Sequence, residues 1–424
     1  PPPRKKPARG AFLYRQVLYE KSTGGTIKYI DRLKSENRKG EVMEQKVFAD
    51  KSRMRDSGVE LLKVIAVILI VISHVVLTLI TENEYIPYSD YLLDCTHATT
   101  SITVLLLVVM RHFGALGNWI FFVASAWFLL DSTKASGKKM MGMLLDIWVI
   151  SILFLGITLL LRGEVSGKLF IFSLFPTLFA NNWYLTCYLL FYPIHPYLNR
   201  LIASMTQKEH LKAVSVLAVL YIGFNFIESR FFFPNMLLLW ISVYLIVAYI
   251  KRYCMELYSS AKVNSILLLC GAAGAVGIVI LTDLLGLKIA ALSDQLLRWV
   301  SNFNLFLILI AIAAFGLARK NHFKNKRVNH IAKCSMLIYI IHENILLRTY
   351  TRPYLWHCIF NRYGYAHLFL WVFLYSAVWL LAALALSLLY EKSIQKITAR
   401  VSEKMLKWMG NWYQKYEAAM LKLH

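Results

Sequence analysis

The sequence predicts an all-α bundle that crosses a membrane about ten times, and three observations predict it. Hydrophobic residues make up 58% of the chain and charged residues only 17%, a balance that a soluble globular protein does not keep. Apolar runs of about 20 residues, the length that spans a bilayer as a helix, recur from Val59 to Tyr390. The loops between these runs alternate between basic and acidic, which is the pattern that orients polytopic proteins in a membrane.

Along the chain, residues 1–52 carry RKKPAR and DRLKSENRKGE with few apolar runs, and read as a polar cytoplasmic tail. The membrane domain, 53–390, divides into spans near 58–80, 114–131, 141–161, 183–202, 211–228, 235–250, 264–286, 298–318, 332–349 and 367–390. Basic stretches follow every second span: KASGKK (134–139), residues 199–212, KRYCMELYSSAK (251–262) and ARKNHFKNKRVNHIAK (318–333). TENEYIPYSD (81–90) and LSDQ (292–295) fall on the opposite side. Both termini are therefore expected in the cytosol, with the bundle in a cell's inner or plasma membrane. Segments 101–112 and 169–180 are apolar but short, and are expected to lie at the outer interface or to be re-entrant. Residues 391–424 alternate Lys and Arg with Ile, Met, Leu and Trp at helical spacing, as an amphipathic helix on the cytoplasmic membrane surface does.

The net charge of +23 raises a nucleic-acid partner, but the charges sit in short loops between apolar spans, where anionic lipid headgroups meet them instead. The six cysteines lack CxxC spacing, so no metal site is expected; Cys95 and Cys358 both fall in outer loops, which leaves a disulfide between them open. No internal repeat and no cleavable signal peptide are visible, and the first apolar segment is long enough to span.

The first span, LLKVIAVILIVISHVV, holds one lysine and one histidine. Lys63 and His74 are eleven positions apart, three helical turns, so they share a face and stand about 16 Å apart along the axis. Lys63 can snorkel to the headgroups or pair with Glu60. His74 can bond a neighbouring helix. A buried ionisable group more often faces a cavity or a partner, and a neutral imidazole is the side chain best suited to take a proton near neutral pH.

"GVELLKVIAVILIVISHVV" resembles the first helix of the membrane-bound acyltransferase-3 family, with Lys63, ten residues, then His74 at the family's spacing. "GALGNWIFFVASAWFLL" (114–130) is similar to the second helix, with Ser125-Ala126 where Ser-Gly is usual. "NWYLTCYLLFYPIHPYLNRLI" (182–202) resembles the Trp-Tyr-Leu helix, and "CSMLIYIIHENILLR" (334–348) the late helix with Tyr-x-x-His, here Tyr339 and His342. The likeness runs in order from residue 55 to 390.

The resemblance implies an O-acyltransferase that moves an acetyl or other acyl group from cytosolic acetyl-CoA to a hydroxyl of a cell-envelope polysaccharide or lipid-linked sugar. Many members carry a fused esterase-like domain; without one, the acyl group is finished within the membrane or passed to a separate extracytoplasmic acceptor protein. His74 is then the general base. Lys63, Lys138 and Lys139 are candidates for the CoA phosphates, although Lys138 and Lys139 stand where the family has arginines and also serve as ordinary positive-inside charge. Asn118, Ser125 and Tyr184 are candidate donors to the developing oxyanion. His342 and Glu343, the other catalytic candidates, lie within the ninth span, where a helix would turn them about 100° apart, one toward the cavity and one toward a neighbour; either can orient His74 or contact the sugar, or simply make an interhelical hydrogen bond. Arg111, with His112, is expected just before the second span on the outer side; Arg162, Glu164, Glu228 and Arg230 join it there as solvated charges or sugar contacts. Trp183 and Tyr184 belong to an outer aromatic belt or stack on a sugar. An exporter of a glycan or lipid-linked sugar on the same scaffold is the rival reading; the scarcity of proline within the spans disfavours the broken helices it would need.

Overall fold

The computed structural model describes residues 56–80, 92–228 and 234–420, and every regular element among them is helical. The expected tail at 1–52 and Arg230 lie outside the described residues. The chain opens with α1 (Ser57–Ile80), α2 (Ile102–Leu129) and α3 (Gly137–Arg162), followed by the short α4 (Gly167–Leu174), α5 (Trp183–Phe191) and α6 (His195–Ser204). A helical run of Gln207–Ile227 holds α7 (Gln207–Val216), one π-helical stretch and α8 (Phe224–Ile227). Then come α9 (Met236–Tyr253), α10 (Met255–Tyr258), α11 (Ala261–Gly286), α12 (Leu305–Lys320), α13 (Lys326–His342), α14 (Arg352–Tyr363), α15 (Leu368–Ser393) and α16 (Gln395–Met420).

Seven of these helices are long and apolar enough to cross a membrane: α1, α2, α3, Gln207–Ile227, α9, α11 and α15. The other expected spans are α12, α13 and the pair α5–α6, which are shorter. Pro193 stands between α5 and α6, and Pro196 opens α6, so the backbone bonds a single helix would need there are missing.

Two expectations are corrected. Residues 101–112 are not a separate interfacial segment: they are the first turns of α2, whose N-terminus is capped by the Ser101 side chain accepting from the Val104 N–H. Arg111 and His112 are therefore mid-helix rather than loop residues. The cause is the GALG sequence. Gly114 and Gly117 do not break the helix but let it lie on α1; a Cβ at Gly117 would stand 2.6 Å from the Ala66 carbonyl oxygen, and one at Gly114 2.7 Å from Ser73 Oγ. The ninth span, likewise, does not run unbroken to residue 349. α13 ends at His342, and a π-helical turn follows at Leu347–Thr351.

α1 is the hub of the bundle, packed against α2, α12, α13 and α15. α4 runs back beside α3: Ser151 Oγ donates to the Ser173 carbonyl at 2.8 Å and Trp148 Nε1 to the Leu174 carbonyl at 3.1 Å. Ser151 is about 16 Å from the Arg162 end of α3, so α4, within the stretch expected at the outer interface or re-entrant, runs back along α3. α16 is held to α3 through buried Asp146, which accepts from Tyr390 and Thr398 at 2.9 Å each. All six cysteines are free thiols, Cys95 buried and Cys358 exposed.

Candidate active site

The site begins with α1. Its Ser73 hydroxyl donates to the Arg111 carbonyl at 2.9 Å, and Arg111 Nη1 donates to the Ser73 carbonyl (2.9 Å) and hydroxyl (2.5 Å). The close α1–α2 approach at Gly114 makes this clasp possible. It fixes the turn of α1 that carries His74.

Where α13 breaks, His342 and Glu343 both reach His74. The helical 100° offset does not apply, because Glu343 has left the helix, with φ −99 and ψ 14. His74 Nδ1 lies 3.1 Å from His342 Nε2 and 3.0 Å from Glu343 Oε1. This corrects the expectation that the two would point about 100° apart, one toward the cavity and one toward a helix neighbour. His342 Nδ1 lies 2.8 Å from the Ile338 carbonyl, which can only accept, so that nitrogen carries the proton. Nε2 of a neutral His342 is then a bare lone pair, and His74 Nδ1 must be the N–H that its two neighbours share. His74 Nε2 is left as the basic atom, with no partner among the described residues, on a side chain 16% exposed.

Arg352, from the first turn of α14, locks the arrangement. Its Nη2 donates to Glu343 Oε1 at 2.6 Å and to the His342 carbonyl at 2.7 Å, and Nη1 reaches the His74 carbonyl at 3.3 Å. Tyr375 and Trp356 add bonds to the Arg352 and Val75 carbonyls. The donor atoms of His74, His342 and Glu343 all lie within 4.8 Å of one another, close enough to hold a metal ion. Yet the Arg352 guanidinium is already bonded to the Glu343 oxygen nearest both rings, and a dication there would meet a fixed positive charge.

Toward the Lys139 end of the bundle lies a cavity of about 210 Å³. Ile70, one turn from His74 on α1, and Tyr339, whose ring centroid is 5.8 Å from that of His342, bring it next to the histidine cluster. Its walls are largely apolar, but Asn118, Ser125, Tyr184 and Ser335 also line it. The Tyr184 and Ser335 hydroxyls are buried with no hydrogen-bond partner among the described residues, which is costly unless a ligand supplies one. Lys139 also lines the cavity and donates to the Tyr188 hydroxyl at 3.1 Å, its ammonium 4.9 Å from the Tyr192 ring centre.

The structure thus brings His74, His342 and Glu343 into one cluster, with Arg111 one residue removed through Ser73, and Asn118, Ser125, Tyr184 and Lys139 into the adjoining cavity. It does not bring the other candidates there. Lys63 pairs with Glu60 at 2.9 Å. Lys138 pairs with Glu403 of α16, and this partner holds the Glu403 carboxyl below the usual carboxylate range. Trp183 is half-buried and edge-on to Tyr184, outside the cavity lining. Arg352, Ser73 and Ser335 were missed. The only signal for Arg352 was a pair of arginines, Arg348 and Arg352, four apart after the HEN triplet.

The family model described as an acyltransferase domain, that of the acyltransferase-3 family, matches residues 56–388. No curated protein and no solved structure matches the chain.

Proposed function

The chain belongs to the acyltransferase-3 family and is a membrane acyltransferase, and from that premise we propose that it moves an acetyl group from cytosolic acetyl-CoA to a hydroxyl of an extracytoplasmic cell-envelope glycan. The observation that carries this reading is the free Nε2 of His74, a base oriented by Glu343 and seated one turn beyond a cavity with unpaired buried hydroxyls.

In the proposed reaction, Lys139 binds CoA phosphate at the cytosolic mouth, and the pantetheine arm fills the cavity. Tyr184 and Ser335 hydrogen-bond its amides, with Asn118 and Ser125 beside them. The acceptor hydroxyl enters from the other side and gives its proton to His74 Nε2 as its oxygen attacks the thioester carbonyl. Glu343 stabilises the imidazolium through Nδ1–H, as a buried carboxylate does in a catalytic triad. The tetrahedral adduct expels the CoA thiolate, which takes the proton back from His74 Nε2. The acceptor leaves as its acetyl ester. No step calls for a metal, and no change in activity on chelation is expected.

The test uses purified protein and acetyl-CoA labelled in the acetyl group. The reading requires saturable binding, release of free CoA thiol, and weaker binding by Lys139→Ala. Absence of thiol release with and without envelope glycan rejects it. A carrier reading draws on the helix breaks at Glu343 and between α5 and α6, since interrupted helices line transporter sites. Labelled glycan entering vesicles without acyl donor would favour that alternative.

A further inference from the structure

The histidine cluster is electrically lopsided. Arg111, Arg348 and Arg352 belong to it, and guanidinium groups stay charged. Among the described residues only one carboxylate, Glu343, pairs with any of them. Three positive charges against one negative leave an excess of two, within a bundle whose surroundings solvate ions poorly. Such an excess is expensive unless an anion visits the site.

The three arginines are not equivalent. The Arg352 side chain is 2% exposed and committed to Glu343 and two carbonyls. Arg111 is committed to Ser73. The Arg348 side chain is 37% exposed, and its Nη1 lies 3.8 Å from Glu343 Oε2, longer than a charge-assisted hydrogen bond. It therefore sits on the opposite oxygen of the carboxylate that orients His74, with its planar fork of donors available. A second cation stands on the same rim: Arg162, at the end of α3, lies 4.2 Å over the ring of Tyr350, two residues beyond Arg348. Leu155, Leu169, Ile345, Leu346 and Tyr350 pack into one small core beneath this rim, which fixes α3, α4 and the turn after Glu343 together.

We propose that the acceptor is anionic: Arg348, with Arg162 beside it, holds a carboxylate or phosphate group of the glycan close to the hydroxyl that His74 deprotonates. This inference rests on the acetyl-transfer reading and adds the acceptor's chemical class to it. A guanidinium fork takes either anion two oxygens at a time, so uronate and phosphate-bearing sugars share the recognition. The neutral member of a matched pair would leave Arg348 only its 3.8 Å contact with Glu343.

The experiment measures CoA thiol release from acetyl-CoA by the purified full chain with two matched pairs of probes. One is methyl β-glucuronide against methyl β-glucoside; the other is glycerol 3-phosphate against glycerol. The expected result is that at least one anionic probe half-saturates its stimulation at a concentration at least about tenfold below its neutral partner. Which pair shows the gap tells carboxylate from phosphate. Arg348→Gln should close that gap while leaving the neutral probe's half-saturation where it was, and Arg348→Lys should restore part of it. Arg362→Gln, an exposed arginine of α14 away from Glu343, should leave the gap intact. Equal responses to both members of both pairs overturn the inference, the absence of any stimulation included. So does an Arg348→Gln variant that loses its response to charged and neutral probes alike, because that is what a purely structural support of Glu343 would do. A wild-type protein that releases no thiol at all overturns the donor reading and this inference with it, whereas thiol release without charge preference overturns this inference alone.

Discussion

Two stretches of the bundle, one on either side of Tyr339, hold polar groups in opposite ways. Around His74 the side chains bond one another, with Arg352 Nε the buried exception in the cluster: Ser73 with Arg111, His342 with Ile338, and Glu343 with His74 and Arg352. The hydroxyls of Tyr184 and Ser335 are buried with no partner among the described residues. A satisfied network is rigid, and it holds one lone pair, on His74 Nε2, aimed without further rearrangement. An unsatisfied one lining a cavity is a binding surface without its ligand. The first region has the character of a place for chemistry and the second of a place for substrate. The two should therefore fail differently when altered.

The largest effect should come from breaking the satisfied side. Glu343→Gln removes the charge that supports the His74 imidazolium and strands Arg352. Thiol release should fall about a thousandfold or more, and the variant should lose about 3–5 kcal/mol of stability, read by activity and by thermal unfolding in detergent. Next is the helix contact that positions the clasp. Gly117→Val would drive side-chain atoms into the Ala66 carbonyl, and a loss of about 1–3 kcal/mol is expected. An unchanged melting temperature would mean that α1 and α2 do not pack as described. Smaller still is the unsatisfied side. Tyr184→Phe and Ser335→Ala should each raise the half-saturating acetyl-CoA concentration about 5–10-fold with little change in stability, since no protein partner is lost. A fall in stability as large as that of Glu343→Gln would erase the contrast between the two regions. The smallest effect belongs to Glu403. Lys138 lowers its carboxyl, so the pair is intact above the usual carboxylate range and is lost as pH falls through the lowered value. Being exposed, it should matter little, and Glu403→Gln at neutral pH should leave acetyl-CoA binding unchanged.

Much of this contrast was legible in the residues, and the remainder was hidden for physical reasons. Helical class and membrane residence follow from apolar run length, which depends on the bilayer and not on tertiary detail. His74 stood out because an imidazole within VILIVISHVV has no structural excuse of its own. The start of α2 was obscured because Arg111, His112 and Gly114 look like a loop in one dimension. Among the described residues it is the facing Ser73 that satisfies the arginine, and the missing Cβ of Gly114 makes room for it. The meeting of His342 and Glu343 on one imidazole was obscured by the assumption of helical phase, which fails where α13 ends. Arg352 was out of reach because its partners are ten residues back along the chain and across the bundle on α1.

The most direct measurement is acetyl-CoA turnover by His74→Ala beside wild type, with donor binding measured on the same preparations. The account predicts equal affinity for acetyl-CoA and a loss of thiol release of at least about a hundredfold. Turnover at the wild-type rate in the variant would contradict it.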